Sequence, residues 1–219
     1  LPVVTAFADF HESVIAYDVN ASRIDELRKG VDRNGDITPE VLRMHKKAFT
    51  SDPGQLSDVT FYVIAVPTPI TEKHEPDLGP VTAACKIIGS YLAQGDLVVL
   101  ESTVYPGVTE EVCGPVLENV SGLVAGKDFA LGYSPERINP GDREHNFANI
   151  TKVVASADQN SLDRMTQVYG PVIKAGLHIA LNIKTAEAAK VLENTQRDLN
   201  VALMNELSFI CDKVGIATA

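Results

Sequence analysis

The apolar residues of this chain fall into short continuous runs, with segments of mixed polarity between them. The runs at 61–66, 97–100 and 129–133 predict strands, and the first is typical of a strand buried on both faces of a sheet. Segments 81–92 and 109–117, which lie between these runs, are predicted to be helices. Strands that alternate with helices predict an α/β fold with a parallel, doubly wound sheet.

The rest of the chain continues this alternation. Further strands are expected at 13–18 and 153–155, and further helices at 1–10, 21–29, 40–47 and 161–169, with Ser22 and Ser161 as candidate caps. The longest predicted element is a helix from 185 to about 214, which spans roughly 45 Å at 1.5 Å per residue. Gly215 is expected to mark its end.

The strand predicted at 13–18 ends in an acidic residue, Asp18. In dinucleotide-binding units such a residue lies about 20 residues beyond a Gly-rich phosphate-binding turn. Counting back places that turn at or before Leu1, so the first strand and its Gly-x-Gly-x-x-Gly loop are expected to be missing. The predicted fold class is therefore a Rossmann-like α/β sheet, lacking that strand and loop, followed by a long central helix. In the alternative, the chain is complete and Leu1 opens an ordinary helix.

Composition and charge narrow the classes of partner. The net charge of −10 argues against a nucleic acid or a membrane surface as partner. No apolar stretch approaches the ~18–20 residues that span a bilayer. The three cysteines are widely spaced, and the five histidines show no ligand spacing, so neither a disulfide framework nor a metal site is expected. A reducing cytoplasm fits this cysteine usage best.

Three residues near predicted strand ends are candidates for binding a dinucleotide. Asp18 could accept both hydroxyls of an adenosine ribose and repel a 2′-phosphate, which favours NAD over NADP; the alternative is an ordinary turn aspartate. Arg23 could flank the adenosine or be a solvated helix arginine. Thr68 lies between two prolines, where it could contact the cofactor or belong to a simple strand-terminating turn.

Two more candidates follow the strands predicted at 97–100 and 129–133. The hydroxyl of Thr103 could position a water or a cofactor group, or it could satisfy its own turn. Glu136 follows Pro135, whose ring narrows the path of the loop. A carboxylate in such a cleft could act as a general base, whereas the alternative is an ordinary surface-loop glutamate.

Lys190, Asn194 and Arg197 recur along the long predicted helix and lie within about 60° of one another around its axis. A lysine and an amide one turn apart could both donate to an oxygen that gains negative charge. The alternative is a solvated helix face, with Leu192 and Leu199 on the opposite side.

In combination and in order, six segments resemble the UDP-glucose/GDP-mannose dehydrogenase family of nucleotide-sugar 6-dehydrogenases. They are Tyr17-Asp18-Val19-Asn20 with Arg23, Val66-Pro67-Thr68-Pro69, Pro76-Asp77-Leu78, residues 101–107, Ser134-Pro135-Glu136-Arg137, and Lys190 with Asn194. The resemblance extends over essentially the whole chain. Gly30-Val31-Asp32 and residues 136–142 are most similar to the branch that oxidises UDP-N-acetylhexosamines for surface polysaccharides.

The resemblance implies an NAD-binding domain at 1–184, a linking and dimerising helix at 185–219, and an absent C-terminal domain that binds UDP. It implies oxidation of the C6 alcohol of a UDP-sugar to a carboxylate, with two NAD per turnover, by a homodimer formed through the central helix. Catalytic roles would fall to Lys190, Asn194, Glu136 and Thr103, NAD contacts to Asp18, Arg23, Thr68 and Thr103, and substrate contacts to Arg137, Ile138, Lys190, Asn194 and Arg197.

The sequence also departs from the family pattern. The family's Gly-rich turn and its Gly-Gly-x-Cys nucleophile motif are both absent from the 219 residues. The polypeptide as given is therefore not expected to perform the complete reaction alone. Two hypotheses stay open: part of an NAD-dependent UDP-sugar dehydrogenase, or a non-catalytic nucleotide-binding or dimerisation module derived from that family.

Overall fold

Helices and strands alternate over much of the computed structural model, which describes residues 1–136 and 147–218. The helices are α1 (Pro2–Ala8), α2 (Ala21–Arg28), α3 (Pro39–Met44), α4 (Gly79–Gly89), α5 (Gly114–Ser121), α6 (Gln159–Tyr169) and α7 (Ile183–Val214). The strands are β1 (Ala16–Tyr17), β2 (Phe49–Thr50), β3 (Phe61–Ile64), β4 (Leu97–Leu100), β5 (Ala130–Tyr133), β6 (Lys152–Ser156) and β7 (Leu177–Ile179).

The larger sheet has five strands in the order β3-β4-β5-β6-β7. Strands β3, β4 and β5 are parallel, as the alternation of strands and helices predicts. One pairing differs from an all-parallel sheet, because β6 runs antiparallel to β5, while β7 is parallel to β6. An antiparallel strand can begin at the edge where its neighbour ends, whereas a parallel one needs a crossover along the sheet.

The central strand β4 separates two hydrophobic cores. Val98 and Leu100 pack into one core with α4 and α5, and Leu97 and Val99 pack into the other with α1 and α6. All four side chains are buried, which explains why this run is continuously apolar. Strand β3 is less enclosed than its sequence predicts, with buried and half-buried residues in alternation, because it lies at the edge of the five-stranded sheet.

A second, two-stranded sheet pairs β1 with β2 in parallel. A third core covers this sheet and contains Ile24, Leu27, Leu42 and Phe49 from α2, α3 and β2. Strands β2 and β7 have two and three residues, so they are too short to leave a recognisable pattern in the sequence. Both escaped the sequence-based prediction for this reason.

Helix boundaries and caps differ from expectation at three places. The N-cap of α6 is Asp158, whose side chain accepts from the Ser161 amide, and the cap of α2 is Asn20 rather than Ser22. The helix predicted at 109–117 begins as a π-helix, Val108–Cys113, which continues into α5. Single π-helical turns are frequent at functional sites.

Helix α7 is a single element of 32 residues, capped at its start by the side chain of Asn182 and ended by Gly215 in the left-handed conformation. The stop predicted at Gly215 is confirmed. Its buried residues all lie in the first eight positions, and the remainder is half-buried or exposed. Among the described residues, no helix combines the length and apolar character needed to cross a membrane.

Candidate active site

The loops that follow β3, β4 and β5 lie side by side, because Ile64, Leu100 and Tyr133 end their strands in register. Two hydrogen bonds join these loops, one donated by a side chain and one between backbone groups. Ser102 Oγ donates to the Val66 carbonyl at 2.6 Å, and the Glu136 amide donates to the Glu101 carbonyl at 3.4 Å. The carboxyl ends of parallel strands are where ligands bind in open α/β sheets.

Thr68 and Thr103 meet at this edge. The Thr68 hydroxyl donates to the Thr103 carbonyl at 2.8 Å, so it fixes the path of the neighbouring loop. Thr103 itself is exposed. The contact brings together two of the residues that the sequence suggested for cofactor binding.

A buried carboxylate fastens α7 to the loop after β4. Glu187 is fully buried and accepts hydrogen bonds from the Gly107 amide at 2.5 Å, the Thr109 amide at 2.9 Å and the Thr109 hydroxyl at 2.7 Å. Gly107 adopts a φ of 102°, a left-handed conformation that L side chains rarely take. No role for Glu187 was assigned from the sequence.

Lys190 lies one turn further along α7 and is only 7% exposed, so it does not belong to a solvated helix face. Asn194 is half-buried. Arg197 has a side chain that is 48% exposed and donates to Glu193 at 2.9 Å. The three predicted residues therefore share one side of the helix, and their exposure increases from Lys190 through Asn194 to Arg197.

At the other sheet, Asp18 follows β1 and is exposed; its carboxylate accepts a hydrogen bond from the Asn20 amide at 2.8 Å. Arg23 is not a solvated helix arginine, because it forms an ion pair with the buried carboxylate of Asp32. Although burial opposes the change, hydrogen bonds from Arg23 and from three backbone amides lower the pKa of Asp32.

A buried charged cluster next to Glu136 was missed by sequence reasoning. Lys152 Nζ lies 3.1 Å from Glu101 Oε1 and 3.8 Å from Glu136 Oε2, and the Tyr169 hydroxyl donates to Glu101 Oε1 at 2.7 Å. Burial raises the pKa of Glu101, Lys152 opposes that rise, and the charge of Glu136 adds to it. The sequence carried two signals of this cluster: Glu101 directly follows the apolar strand β4, and Lys152 is the first residue of β6.

Arg137 and Ile138, two of the predicted substrate contacts, lie outside the described residues. Within residues 1–136 and 147–218, no group of three histidine, cysteine or acidic side chains is arranged to hold a metal ion. Cys85 and Cys113 are buried free thiols among apolar neighbours.

Parallel strands whose carboxyl ends carry polar loops, with an exposed carboxylate after β1, define a Rossmann-like nucleotide-binding protein. Comparison with known proteins identifies the family within this class. Residues 1–173 match the NAD binding domain of the UDP-glucose/GDP-mannose dehydrogenase family, and residues 184–219 match its central domain. The chain belongs to this family.

Curated relatives match over the full length of this chain. It is 51% identical over 218 residues to Protein CapL of Staphylococcus aureus and 47% identical over 219 residues to UDP-N-acetyl-D-glucosamine 6-dehydrogenase of Salmonella typhi. In both cases the match covers 100% of this chain and 51% of the relative. The chain thus spans about half the length of the curated relatives it matches.

The fold agrees with that of a solved dehydrogenase structure. A UDP-D-ManNAc dehydrogenase from Pyrococcus horikoshii superposes with a TM-score of 0.88 at 29% sequence identity, covering 98% of this chain and 52% of that protein. The predicted Rossmann-like α/β fold is confirmed, and so is the predicted family.

Proposed function

We propose that this chain forms part of an NAD-dependent dehydrogenase that oxidises the C6 alcohol of a UDP-sugar to a uronic acid for surface polysaccharide synthesis. The observation that carries the proposal is the burial of Lys190, three residues after the carboxylate that binds the loop following β4. A UDP-N-acetylhexosamine is the expected sugar nucleotide, since the Salmonella typhi relative is named a UDP-N-acetyl-D-glucosamine 6-dehydrogenase.

The side chains at the strand ends fit NAD, which when bound accepts a hydride from the sugar. Asp18 presents an exposed carboxylate after β1, suited to the ribose hydroxyls and repulsive to a 2′-phosphate. Arg23 would flank the adenosine while Asp32 holds its guanidinium. Thr68 and Thr103, joined by their hydrogen bond, would contact the cofactor beside β3 and β4.

The remaining candidates would serve the substrate. Lys190 and Asn194 would donate to the C6 oxygen as it gains negative charge. Glu136 would act as the base in hydrolysis of the thioester that the family forms on its Gly-Gly-x-Cys cysteine, with Thr103 orienting water. Arg197, in the open part of α7, would contact the sugar nucleotide together with Arg137 and Ile138.

We further propose the organisation of the whole protein. Residues 1–184 would form the NAD-binding domain, and 185–219 a linking helix through which two copies associate in the cytoplasm. Support for a homodimer comes from a stripe of exposed apolar residues on α7, within about 60° of one another around the axis at 100° per residue. The stripe consists of Leu192, Leu199, Leu203, Ile210 and Val214.

The test is a steady-state assay of NADH formation by the full-length protein that carries this chain, with a panel of UDP-sugars. We expect turnover with a UDP-N-acetylhexosamine and NAD, and much slower turnover with NADP. Equal rates with the two cofactors would contradict the role of Asp18, and no turnover with any UDP-sugar would contradict the activity.

A second candidate function is a non-catalytic dimerisation module derived from the same family, which the exposed apolar stripe of α7 also favours. A full-length protein that binds NAD and sediments as a dimer, yet oxidises no UDP-sugar, would support this candidate instead.

A further inference from the structure

We propose that Asp32 determines the preference for NAD over NADP together with Asp18, because it neutralises Arg23, the cation that would otherwise attract a 2′-phosphate. The role assigned to Asp32 rests on the proposed binding of NAD beside Asp18. Asp18 repels a phosphate, whereas Asp32 withholds the attraction of the neighbouring arginine. Neither the sequence motifs nor the relatives' names give Asp32 a role in the choice of cofactor.

Asp18 and Arg23 belong to the same turn, which leads from β1 into α2. The Asp18 carboxylate accepts from the Asn20 amide at 2.8 Å, and the Asn20 side chain caps α2 by accepting from the Arg23 amide at 3.0 Å. In dinucleotide-binding units, an acidic residue at this position binds the ribose hydroxyls of NAD, while a nearby arginine accommodates the 2′-phosphate of NADP. The two side chains on this turn therefore favour opposite cofactors.

An enclosed ion pair removes this conflict. Asp32 pairs with the Nη2 group of Arg23; the Asp32 side chain is 1% exposed and that of Arg23 is 16% exposed. Solvent and salt screen an enclosed pair less than one at the surface. The guanidinium therefore has its charge balanced before a cofactor binds, and it attracts a phosphate dianion less than a lone arginine would.

The backbone holds Asp32 in place independently of Arg23. The Asp32 carboxylate also accepts from the amides of Asn34 at 3.2 Å, Asp36 at 2.9 Å and Ile37 at 3.2 Å. These bonds fix the carboxylate in the loop between α2 and α3. A cofactor phosphate would therefore have to compete with an anchored carboxylate for Arg23.

One donor group of the guanidinium is left without an acceptor. Nη1 of Arg23 is buried and has no hydrogen-bond partner in the described part of the chain. Glu26 lies 3.9 Å from it, beyond hydrogen-bond distance, and is paired instead with Arg33 at 2.6 Å. A buried donor without an acceptor costs free energy, so this group favours a ligand that supplies one. Because the charge of Arg23 is already balanced by Asp32, a neutral ribose hydroxyl suits it better than a phosphate dianion.

The experiment compares kcat/KM with NADP and with NAD in the full-length protein that carries this chain, with UDP-N-acetylglucosamine as the other substrate. Asp32→Asn should raise the NADP-to-NAD ratio roughly tenfold, the scale of one hydrogen bond to a charged group. A disturbed loop would lower kcat/KM for both cofactors alike and leave their ratio as it was. An unchanged ratio would therefore overturn the proposal.

Further variants test whether the change acts through Arg23. Adding Arg23→Gln to Asp32→Asn removes the cation, so the rise in the ratio should disappear. Asp36→Asn is the matched control, because it removes an exposed carboxylate from the same loop, whereas the ion pairs of Arg23 are with Asp32 and Glu26. A rise that survives Arg23→Gln, or that Asp36→Asn reproduces, would overturn the proposal. Asp32→Ser replaces Asp32→Asn if that variant does not fold, because a hydroxyl can still accept from a loop amide.

Calorimetric binding of NAD and NADP, without a sugar nucleotide, separates this role from the proposed activity. Asp32→Asn should bring the Kd for NADP roughly tenfold closer to the Kd for NAD. This change would be seen even if no UDP-sugar were oxidised. Equal Kd ratios in the two proteins would overturn the role of Asp32 and leave the dehydrogenase activity intact. A folded protein that binds neither cofactor would overturn the placement of NAD beside Asp18, and the role of Asp32 with it.

Discussion

At the scale of single residues, the proposed site includes two charged side chains that are buried near the start of α7. Glu187 and Lys190 are both buried, although the rest of the helix beyond them is largely open. A lysine normally keeps its ammonium in water, so the burial of Lys190 favours the functional role proposed above over that of a solvated surface lysine. That proposed role is donation to the C6 oxygen, which carries negative charge once its proton has left and before hydride transfer converts it to a carbonyl.

Lys190→Ala in the full-length protein should therefore reduce kcat by roughly 10²-fold or more, the scale for losing one donor to an oxyanion. Affinity for the UDP-sugar should change far less, since such a donor acts mainly in the transition state. Lys184→Ala is the matched control, because Lys184 is an exposed lysine on the same helix, paired with Glu111 at 2.6 Å.

Stopped-flow or steady-state measurement of NADH formation checks this prediction, with circular dichroism to confirm folding. A Lys190→Ala protein with near-normal kcat would remove Lys190 from the reaction. An unfolded one would make it a structural residue instead.

At the scale of elements, Glu187 joins two segments that are far apart in sequence. Its carboxylate accepts three hydrogen bonds from Gly107 and Thr109, so the start of α7 and the start of the π-helix hold each other in place. Because the loop between β4 and this π-helix carries Thr103, the same contact fixes a candidate cofactor residue.

Glu187→Gln should lower the free energy of unfolding by about 1–3 kcal/mol, the cost of leaving a buried polar group unsatisfied. The new amide would direct N–H groups at backbone N–H donors. Urea unfolding of the full-length protein measures the change, with Glu206→Gln on the exposed part of α7 as control. Equal stability of the two variants would show that the carboxylate contributes little.

The elements differed in how well the sequence predicted them. Strand β4, helix α7 and the stop at Gly215 followed from continuous apolar runs, helical spacing and a glycine. The antiparallel direction of β6 did not, because pairing direction depends on long-range packing rather than on a local pattern. The Lys152–Glu101 pair escaped for a similar reason, since the charges are 51 residues apart and meet only in the folded sheet.

At the scale of the whole molecule, the exposed apolar stripe of α7 is the surface that most favours association with another protein chain. Large contiguous apolar surfaces are uncommon on monomers and mark interaction sites. Because the stripe recurs at helical spacing, a second copy of the same helix would fit it.

Leu203→Glu in the full-length protein should therefore shift the sedimentation profile from dimer towards monomer, because it places a charge in the middle of the stripe. Asn205→Glu, on the other side of the same helix, adds the same charge and should leave the dimer intact. If both variants sediment like the unmodified protein, the stripe is covered by something other than a second copy.

Because only the start of α7 is buried, a movement of its far end changes the orientation of the buried end. Its first two turns are fixed in the protein, and about 36 Å of helix extends beyond Lys190 at 1.5 Å per residue. Over that length, a tilt of roughly 5° at the fixed end moves the far end by about 3 Å. Whatever holds the far end therefore also sets the angle at which Glu187 and Lys190 meet the sheet.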